Sequence, residues 1–536
     1  MTLSRQIAVQ HRYLHLPVEN DAPMRHLRLL LNDHLVRGLD IELAQGEPDF
    51  WVFTDLAPFQ GQTLTVEAAD DTLPAGALDS IAQQDALPSD DTLYREAYRP
   101  QFHFSSWRGW NNDPNGLMYY RGEYHLFYQH NPYGWKWGNM HWGHAVSPDL
   151  VHWQDLDDAL FPDQLGTIFS GSGVVDHENT TGWQTGDEQV QVCIYTSAGG
   201  TSVESQGQPF TQSIAYSVDR GRTFTPYADN PVVAHLAGSN RDPKVIWHAP
   251  TRRWIMALYL DENDYALLAS PDLKAWTVIQ TLTLPQCSEC PDLFELPVDG
   301  DLARMLWVFW GGNGTYQLGD FDGTTFVPEG PPQRYDWGGD NYAAQTFSDI
   351  PAADGRRIQI AWLRVNLPGM PFNQQMSFPC ELTLRTTPEG IRLNSYPVRE
   401  IETLYDQAYT WQGMTLQPGD NPLATITGEL LDIQVEFEPR DATQFGFYVR
   451  GIPVFYDGGR LDCAGRRAPL SPIEGRVRLR ILVDRASIEV FGNDGLVALP
   501  VGVLPSDTSH TLELFARGGS VRVHALTVHT LRTAWK

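Results

Sequence analysis

One segment of the chain places a single carboxylate between turn-forming residues and beside a cluster of aromatic side chains. It spans residues 110–116 and reads Trp-Asn-Asn-Asp-Pro-Asn-Gly. A carboxylate can act as a nucleophile, and aromatic rings offer flat apolar faces that suit a sugar ring. The simpler alternative is a turn in which the Asp and Asn side chains bind their own backbone. We predict that Asp113 is a catalytic nucleophile.

Two further acidic clusters follow downstream, and each sets a carboxylate beside a residue that could orient or tune it. They are Arg-Asp-Pro at residues 241–243 and Glu-Cys-Pro-Asp at residues 289–292. Neighbouring residues on a strand face opposite ways, so Arg241 and Asp242 could instead be one buried and one solvent-facing residue. Taken alone, the Arg-Asp motif leaves both interpretations open.

Four more blocks accompany these clusters, at residues 127–132 (FYQHNP), 137–144 (WGNMHWGH), 169–172 (FSGS) and 340–344 (DNYAA). With these blocks in this order, residues 98–384 resemble glycoside hydrolase family 32, the levanase, exo-inulinase and invertase group. The resemblance implies that Asp113 is the nucleophile, Asp242 the transition-state stabiliser and Glu289 the acid/base. It also implies that Cys290 helps to tune Glu289.

Cleavage of a fructofuranoside with retention of configuration needs two carboxyl groups, roughly 5 to 5.5 Å apart. By the resemblance, Asp113 attacks the anomeric carbon and Glu289 protonates the leaving oxygen. Such an acid must stay protonated near its working pH, and burial or nearby negative charge favours the protonated form. Asp242 is expected to remain ionised, with Arg241 beside it, and to accept hydrogen bonds from ring hydroxyls.

Ten residues are candidates for substrate binding, because their polar groups could bind ring hydroxyls and their aromatic rings could pack on the sugar. They are Trp110, Asn111, Asn112, Gln129, Trp137, Phe169, Ser170, Arg241, Asp340 and Trp362. For each aromatic residue the alternative is core packing, since most of the 17 tryptophans must be structural. The loop at residues 365–374 departs from family forms that carry further tryptophans, so the preferred chain length stays open.

The length and charge of the chain restrict its class. A chain of 536 residues suggests two or three domains. The formal charge of -28 argues against nucleic-acid and anionic-membrane partners, whereas a neutral carbohydrate feels little of that field. The oligomeric state is not indicated.

Cysteine usage and the N-terminus bear on compartment and metal binding. The five cysteines cannot all pair and do not resemble a secreted disulfide framework. Cys287 and Cys290 have zinc-knuckle spacing, but no second such pair exists, so we predict no metal and no cofactor. Residues 1–11 lack a signal-peptide pattern, which favours a cytoplasmic enzyme unless the sequence has been trimmed from a secreted one.

Between residues 101 and 388 the sequence indicates many short strands, broken by Gly, Pro, Asn and Asp. A polar turn followed by an aromatic residue recurs at 147–153, 217–224, 270–276 and 320–326. Intervals of about 50 to 70 residues suit one propeller blade each, although unrelated hairpins in a sandwich are the alternative. The resemblance implies a five-bladed β-propeller with a negatively charged pocket at its axis, where the three carboxylates would converge.

The predicted fold class is all-β, with three domains. Residues 1–97 form a small N-terminal β domain and linker, residues 98–395 the five-bladed catalytic propeller, and residues 396–536 a C-terminal β-sandwich. The sandwich is predicted from alternating strands and from a hairpin signal at 492–495, and the acidic residues of 484–491 are expected to form ion pairs. The N-terminal domain could extend the substrate cleft, mediate oligomerisation or only pack against the propeller.

The sequence therefore predicts an exo-acting β-fructosidase that removes terminal fructose from fructans, fructo-oligosaccharides and sucrose. An invertase or a fructosyltransferase of the same family would differ only in loops on the acceptor side. A non-catalytic fructan-binding protein would be free to lose Asp113 or Glu289, and both are present. Arabinan-cleaving propellers do not share the Trp-Asn-Asn-Asp-Pro-Asn-Gly form. Linkage preference is not indicated.

Overall fold

The computed structural model describes residues 3–69, 72–89, 91–505 and 510–535 of the chain. Almost all of the regular structure is β-strand, and the helical segments described are two short 3-10 turns, Ala57–Phe59 and Arg399–Leu404. Neither of them is long and apolar enough to cross a lipid bilayer. The predicted all-β fold class is confirmed.

The N-terminal domain consists of two antiparallel sheets that pack on a shared apolar core. In spatial order, the first sheet contains Leu3–Ala8, Thr63–Ala68, Arg25–Leu31 and His34–Ile41, and the second contains Phe50–Asp55, Tyr13–Val18 and Ala82–Gln84. The alternating residues Leu27 and Leu29 are fully buried. Tyr133 of the propeller joins the same core, so the two domains pack directly against each other.

Five antiparallel blades follow one another along the chain, each with four main strands. Blade 1 contains Gly109–Tyr120, Glu123–Asn131, His141–Ser147 and Gln154–Leu160, and blade 2 contains Thr167–Asp176, Val190–Ala198, Phe210–Ser217 and Thr225–Pro226. Blade 3 contains Arg241–His248, Arg253–Asp261, Asp264–Ser270 and Thr277–Thr283, and blade 4 contains Asp292–Val298, Asp301–Trp310, Thr315–Phe321 and Phe326–Arg334. Blade 5 contains Asn341–Thr346, Arg357–Leu363, Cys380–Thr387 and Gly390–Pro397. The short strand Phe372–Asn373 pairs with the first strand of blade 1, and Gln375–Met376 pairs with the second strand of blade 5.

Hydrogen bonds and one ion pair between the first strands of neighbouring blades, or residues next to them, close the ring. In order around the axis, they join Asn115 to Gly171, Ser172 to Val245, Lys244 to Asp292, Asp292 to Thr346, and Ser348 to Tyr119. The last contact returns from blade 5 to blade 1. The first strand of every blade therefore faces the axis, as in a five-bladed propeller.

The repeated turn motif has one position in the fold, since it joins the third and fourth strands of blades 1 to 4. In each turn, one aspartate oxygen accepts two backbone amides that follow it, and these aspartates are Asp149, Asp219, Asp272 and Asp322. Phe224, the aromatic residue of the second motif, packs 5.3 Å from Phe127 of blade 1. The prediction that these turns mark propeller blades is confirmed.

The C-terminal domain is a β-sandwich of two sheets around one apolar core. The six-stranded sheet contains, in spatial order, Tyr405–Leu416, Val521–Leu531, Leu431–Glu438, Val477–Val483, Ser487–Gly492 and Val497–Gly502. The five-stranded sheet contains Arg466–Pro469, Arg460–Cys463, Ile452–Asp457, Gln444–Val449 and Leu512–Arg517. Asn493 and Asp494 have φ angles of 47° and 58° in the turn between two of these strands, which confirms the predicted hairpin.

A buried histidine joins the propeller to the sandwich. Nδ1 of His103 lies 2.9 Å from Oδ2 of Asp484, and its Nε2 lies 3.1 Å from Oε2 of Glu489. Burial lowers the pKa of His103, but the hydrogen bonds to both carboxylates outweigh burial and raise the pKa to about 9. The imidazolium is therefore charged at neutral pH, and the ion pairs expected of the acidic residues in the sandwich are present.

This bridge should contribute to stability in a pH-dependent way. We expect His103→Gln to lower the free energy of unfolding by about 3 to 5 kcal/mol, because it leaves buried carboxylates without their cation. In the wild type, the contribution of His103 should be complete below pH 6.5 and lost as the pH rises through about 9, since the folded state holds the proton more tightly. Denaturant unfolding of both proteins across this pH range measures the effect.

A matched control is His152→Gln, which removes a partly exposed pair with Asp149 at 2.8 Å. Pairs at such positions are worth about 0 to 1 kcal/mol, so this variant should unfold almost as the wild type does. Equal losses of stability in the two variants would contradict a special role for the His103 bridge.

Candidate active site

A small pocket at the propeller axis is lined by one or more residues from each blade. Asp113 comes from blade 1, Ser170 from blade 2, Asp242 from blade 3, Cys290 from the start of blade 4 and Ala343 from blade 5. The third predicted carboxylate, at position 289, directly precedes the cysteine. Residues far apart in the sequence thus meet at one point.

Irregular backbone aims these side chains at the axis. The first strands of four blades shift register at the pocket, between Asn111 and Pro114, Phe169 and Gly171, Arg241 and Lys244, and Tyr342 and Gln345. A β-bulge of this kind leaves a residue unpaired and re-aims its neighbours. Asp242 has a φ of 63°, and the side chains of Arg241 and Asp242 are only 17% and 7% exposed. The alternative of one buried and one solvent-facing residue is therefore wrong.

The carboxylate of Asp113 is held by donors from two blades. The Ser170 hydroxyl donates to Oδ2 at 2.6 Å, and the Asn112 amide donates to Oδ1 at 3.1 Å. The indole of Trp110 donates to Oδ1 of Asn112 at 2.8 Å, which orients that amide. Burial raises the pKa of Asp113, the two donors lower it, and the charge of Glu289 raises it, with a net rise.

Asp242 lies close to Asp113, and the thiol of Cys290 contacts both carboxyl groups. Sγ of Cys290 is 3.5 Å from Oδ2 of Asp242 and 3.7 Å from Oδ2 of Asp113, and the Cys290 backbone amide donates to the same Asp242 oxygen. Burial raises the pKa of Asp242 to about 7, against the lowering effect of Arg241. This pKa is higher than expected for the permanently ionised carboxylate that the sequence predicts, because burial outweighs the attraction of the guanidinium.

Glu289 is held by a cation and a phenol. Nη2 of Arg241 donates to Oε1 of Glu289 at 2.5 Å, and the Tyr342 hydroxyl donates to Oε2. The Arg241 guanidinium also stacks 4.6 Å from the ring centre of Tyr259. The Glu289 side chain is 31% exposed, so substrate can reach it. Tyr342 is not among the residues predicted from the sequence, although it lies inside the block at residues 340–344.

Two pairs of aromatic rings lie next to the residues that bind Asp113. Trp110 and Trp362 pack edge to face at 5.9 Å, next to Asn112. Trp137 and Phe169 pack edge to face at the same distance, next to Ser170. Trp137 is 54% exposed, which leaves its surface free to contact a ligand.

Three predicted binding residues are not seen to face the pocket with free polar groups: two bind other parts of the chain and one is fully buried. Gln129 is buried and donates to the carbonyl of Ile168. The Asn111 side chain is fully buried, and its amide atoms have no hydrogen-bond partner within the described part of the chain. Asp340 accepts from Arg466 at 3.2 Å and from the backbone amide of residue 502 at 3.3 Å, so its carboxylate binds the sandwich.

The cysteines and acidic residues show no metal site in the described ranges. All five cysteines are free thiols, and four of them are buried. Across residues 3–69, 72–89, 91–505 and 510–535, no group of three or more His, Cys, Asp or Glu residues is arranged to hold a metal ion.

Carboxyl groups that converge on a propeller axis, with aromatic rings at the rim, are the groups that a glycoside hydrolase uses. Residues 103–397 match the N-terminal domain of glycosyl hydrolases family 32, and residues 456–530 match its C-terminal domain. Residues 2–102 match a domain of unknown function, DUF4980. The chain belongs to glycosyl hydrolases family 32.

Individual relatives agree with this assignment. The chain is 43% identical to a levanase of Bacillus subtilis (strain 168) over 497 residues, which cover 83% of this chain and 72% of the levanase. It is 39% identical to an invertase of Wickerhamomyces anomalus over 399 residues, which cover 67% and 69% of the two chains. The crystal structure of an exo-inulinase from Aspergillus awamori matches with a TM-score of 0.74 and 30% identity, over 82% of this chain and all of that chain.

The hydroxyl that binds Asp113 should control the pH dependence of hydrolysis. Ser170→Ala removes a donor that favours the ionised carboxylate, so the pKa of Asp113 should rise further. The sequence predicts Asp113 to be the nucleophile, which must be ionised to attack. The acidic limb of kcat/KM should therefore move to higher pH by roughly 1 to 2 units, the equivalent of about 1.5 to 3 kcal/mol. The pH profile of glycoside hydrolysis by the variant and the wild type measures the shift.

Ser213→Ala is the matched control, since it removes a buried hydroxyl of the same blade that pairs with Ser197 at 2.8 Å. This variant should keep the acidic limb of the wild type. An unchanged limb in Ser170→Ala, with a uniform loss at all pH values, would show that the hydroxyl does not act on the ionisation of Asp113.

Proposed function

We propose that the protein is a retaining exo-β-fructosidase. It releases terminal β-D-fructofuranosyl residues from fructans of the levan or inulin type, from fructo-oligosaccharides and from sucrose. The observation that carries this proposal is the convergence of Asp113, Asp242 and Glu289 beside one pocket, where hydrogen-bond donors hold each carboxyl group. The levanase, invertase and exo-inulinase names of the relatives support the substrate class.

In the first step, a carboxylate oxygen of Asp113 attacks the anomeric carbon of the terminal fructosyl unit. The bond from that carbon to the leaving oxygen breaks, and Glu289 gives its proton to this oxygen. Ser170 and Asn112 hold the two oxygens of Asp113, so its direction of attack is set before substrate arrives. The products of this step are a fructosyl ester of Asp113 and the rest of the substrate, which leaves with a free hydroxyl group.

In the second step, water attacks the anomeric carbon of the ester and gives a proton to Glu289, while the bond from that carbon to Asp113 breaks. Fructose leaves, and the Asp113 carboxylate and the Glu289 acid are restored. Two inversions give net retention. Arg241 and Tyr342 bind the Glu289 carboxylate and hold it in place to take this proton. In its ionised form Asp242 accepts hydrogen bonds from ring hydroxyls, and these bonds strengthen as the oxocarbenium-like transition state forms.

An invertase of the same family is the second candidate, since a relative of that name is 39% identical. A fructosyltransferase would use the same carboxyl groups with a sugar in place of water. A protein that only binds fructan would not need donors arranged on both oxygens of Asp113. The products formed from substrates of different length separate these three functions.

We also propose a cytoplasmic location, without a nucleic-acid or membrane partner. Five free thiols support a reducing compartment. The charge of -28 disfavours polyanionic partners. A mechanism of two carboxyl groups and water needs no cofactor.

The two catalytic carboxyl groups should respond differently to the leaving group. Asp113→Asn should abolish fructose release from every substrate, because no nucleophile remains. Glu289→Gln should lose about 10² to 10⁴-fold on sucrose, but much less in the ester-forming step with an activated aryl β-fructofuranoside, whose leaving group needs no proton. Release of the aryl group and of fructose, measured separately, tests both expectations.

Glu295→Gln, at an exposed position of blade 4, is the matched control and should behave as the wild type.

Wild-type digests of kestose, inulin and levan should contain free fructose as the first small product. Early oligosaccharides or longer transfer products would contradict exo-hydrolysis, and no release from any substrate would favour a binding protein.

A further inference from the structure

A second cleft opens beside the catalytic pocket, between the N-terminal domain and blades 1 and 2. We call it the N-domain cleft. It is lined by Met24, Asp40 and Glu42 of the N-terminal domain, by residues of the 131–140 segment that includes Trp137, and by Thr167 and Thr201 of blade 2. Its cavity volume is about 210 Å³ and it opens to solvent, so it is smaller than a complete small-ligand site and suits an extension of one.

Two residues that line the cleft, Trp137 and Thr167, connect it to the catalytic pocket through the first strand of blade 2. Trp137 lines the cleft, and its ring packs 5.9 Å from Phe169, whose neighbour Ser170 binds Asp113. Thr167, which also lines the cleft, lies three positions before Ser170 on the same strand. Three residues of a strand span about 10 Å, so a molecule bound at Asp113 could extend into the cleft without leaving the protein surface.

The N-terminal domain holds the segment that carries Trp137. The backbone amide of Asp40 donates to Oδ1 of Asn139 at 2.8 Å, and Nδ2 of Asn139 donates back to the Asp40 carbonyl at 2.7 Å. On the other side of Trp137, Nζ of Lys136 lies 2.9 Å from Glu42. The exposed indole is thus positioned from both sides by contacts with the N-terminal domain.

The chemistry of the walls suits a neutral, hydroxyl-rich ligand. Met24 and Trp137 are exposed apolar side chains, 56% and 54% accessible, that line this same cleft. Amide and hydroxyl groups surround them, and Lys136, the only cation among the described lining residues, is already paired with Asp21 and Glu42. A cleft without an unpaired cation offers little to an anion, whereas apolar faces among polar groups suit a sugar.

We propose that the N-domain cleft binds sugar units of the substrate chain that lie beyond the scissile bond, so the N-terminal domain is part of the substrate-binding surface. This inference rests on the proposed fructosidase function and extends it to substrate length. Substrates with three or more sugar units reach the cleft, and sucrose does not. Contacts in the cleft therefore raise kcat/KM for longer substrates only.

Met24 allows a test that leaves the catalytic groups intact. Met24→Ala removes an apolar contact, and Met24→Arg fills the cleft with a larger charged side chain. We expect kcat/KM for the tetrasaccharide nystose to fall about 5 to 10-fold in Met24→Ala and further in Met24→Arg, mainly through KM, with sucrose changed less than about 2-fold. Leu302→Ala, which truncates a 79% exposed side chain on blade 4, is the matched control and should change neither substrate.

Binding gives a second readout that does not depend on turnover. In the Asp113→Asn background, adding Met24→Arg should weaken nystose binding, measured by calorimetry, and leave fructose binding unchanged. Equal effects on sucrose and nystose, or no effect on either, would overturn the role of the cleft while the fructosidase function stands. If the wild type releases no fructose from any substrate, the proposed function fails and this inference fails with it.

Discussion

Three carboxyl groups held around one axis set the constraint on which this structure depends. Carboxylates that are brought close together and out of water resist ionisation, and burial raises the pKa of both Asp113 and Asp242. The surrounding donors offset part of this cost, with one cation, Arg241, placed against two of the three groups. A propeller can bring both the carboxyl groups and their hydrogen-bond donors to one point, because every blade contributes at least one residue to the pocket.

The backbone at the axis departs from regular strand geometry, and the rest of each blade supports this departure. Glu289 and Cys290 have φ angles of 50° and 35°, in the left-handed region that non-glycine residues seldom adopt. Such conformations cost free energy and persist where the surrounding structure determines them. Here, hydrogen bonds between neighbouring blades keep the ring of blades closed. The irregular residues therefore cannot adopt regular strand conformation without breaking these bonds.

The two accessory domains bind different parts of the propeller. The sandwich is joined through His103, which precedes blade 1 in the chain, and through Arg466, which binds Asp340 just before blade 5. The N-terminal domain binds the segment around Trp137 through contacts with Lys136 and Asn139. Each accessory domain thus fixes residues of the propeller in addition to burying its own core.

The sequence by itself determined the all-β class, the blade-forming turns and the three carboxylates, because each depends on local chemistry. Aspartates that cap a turn are visible as a repeat, and acidic residues in family motifs are visible as residue types. The tertiary structure alone decided that Arg241 and Asp242 face the same site, that Tyr342 binds Glu289, and that Asp340 binds the sandwich. These contacts depend on bulges that reverse the alternation of a strand and on the closure of the ring, and neither can be derived from the local order of residues.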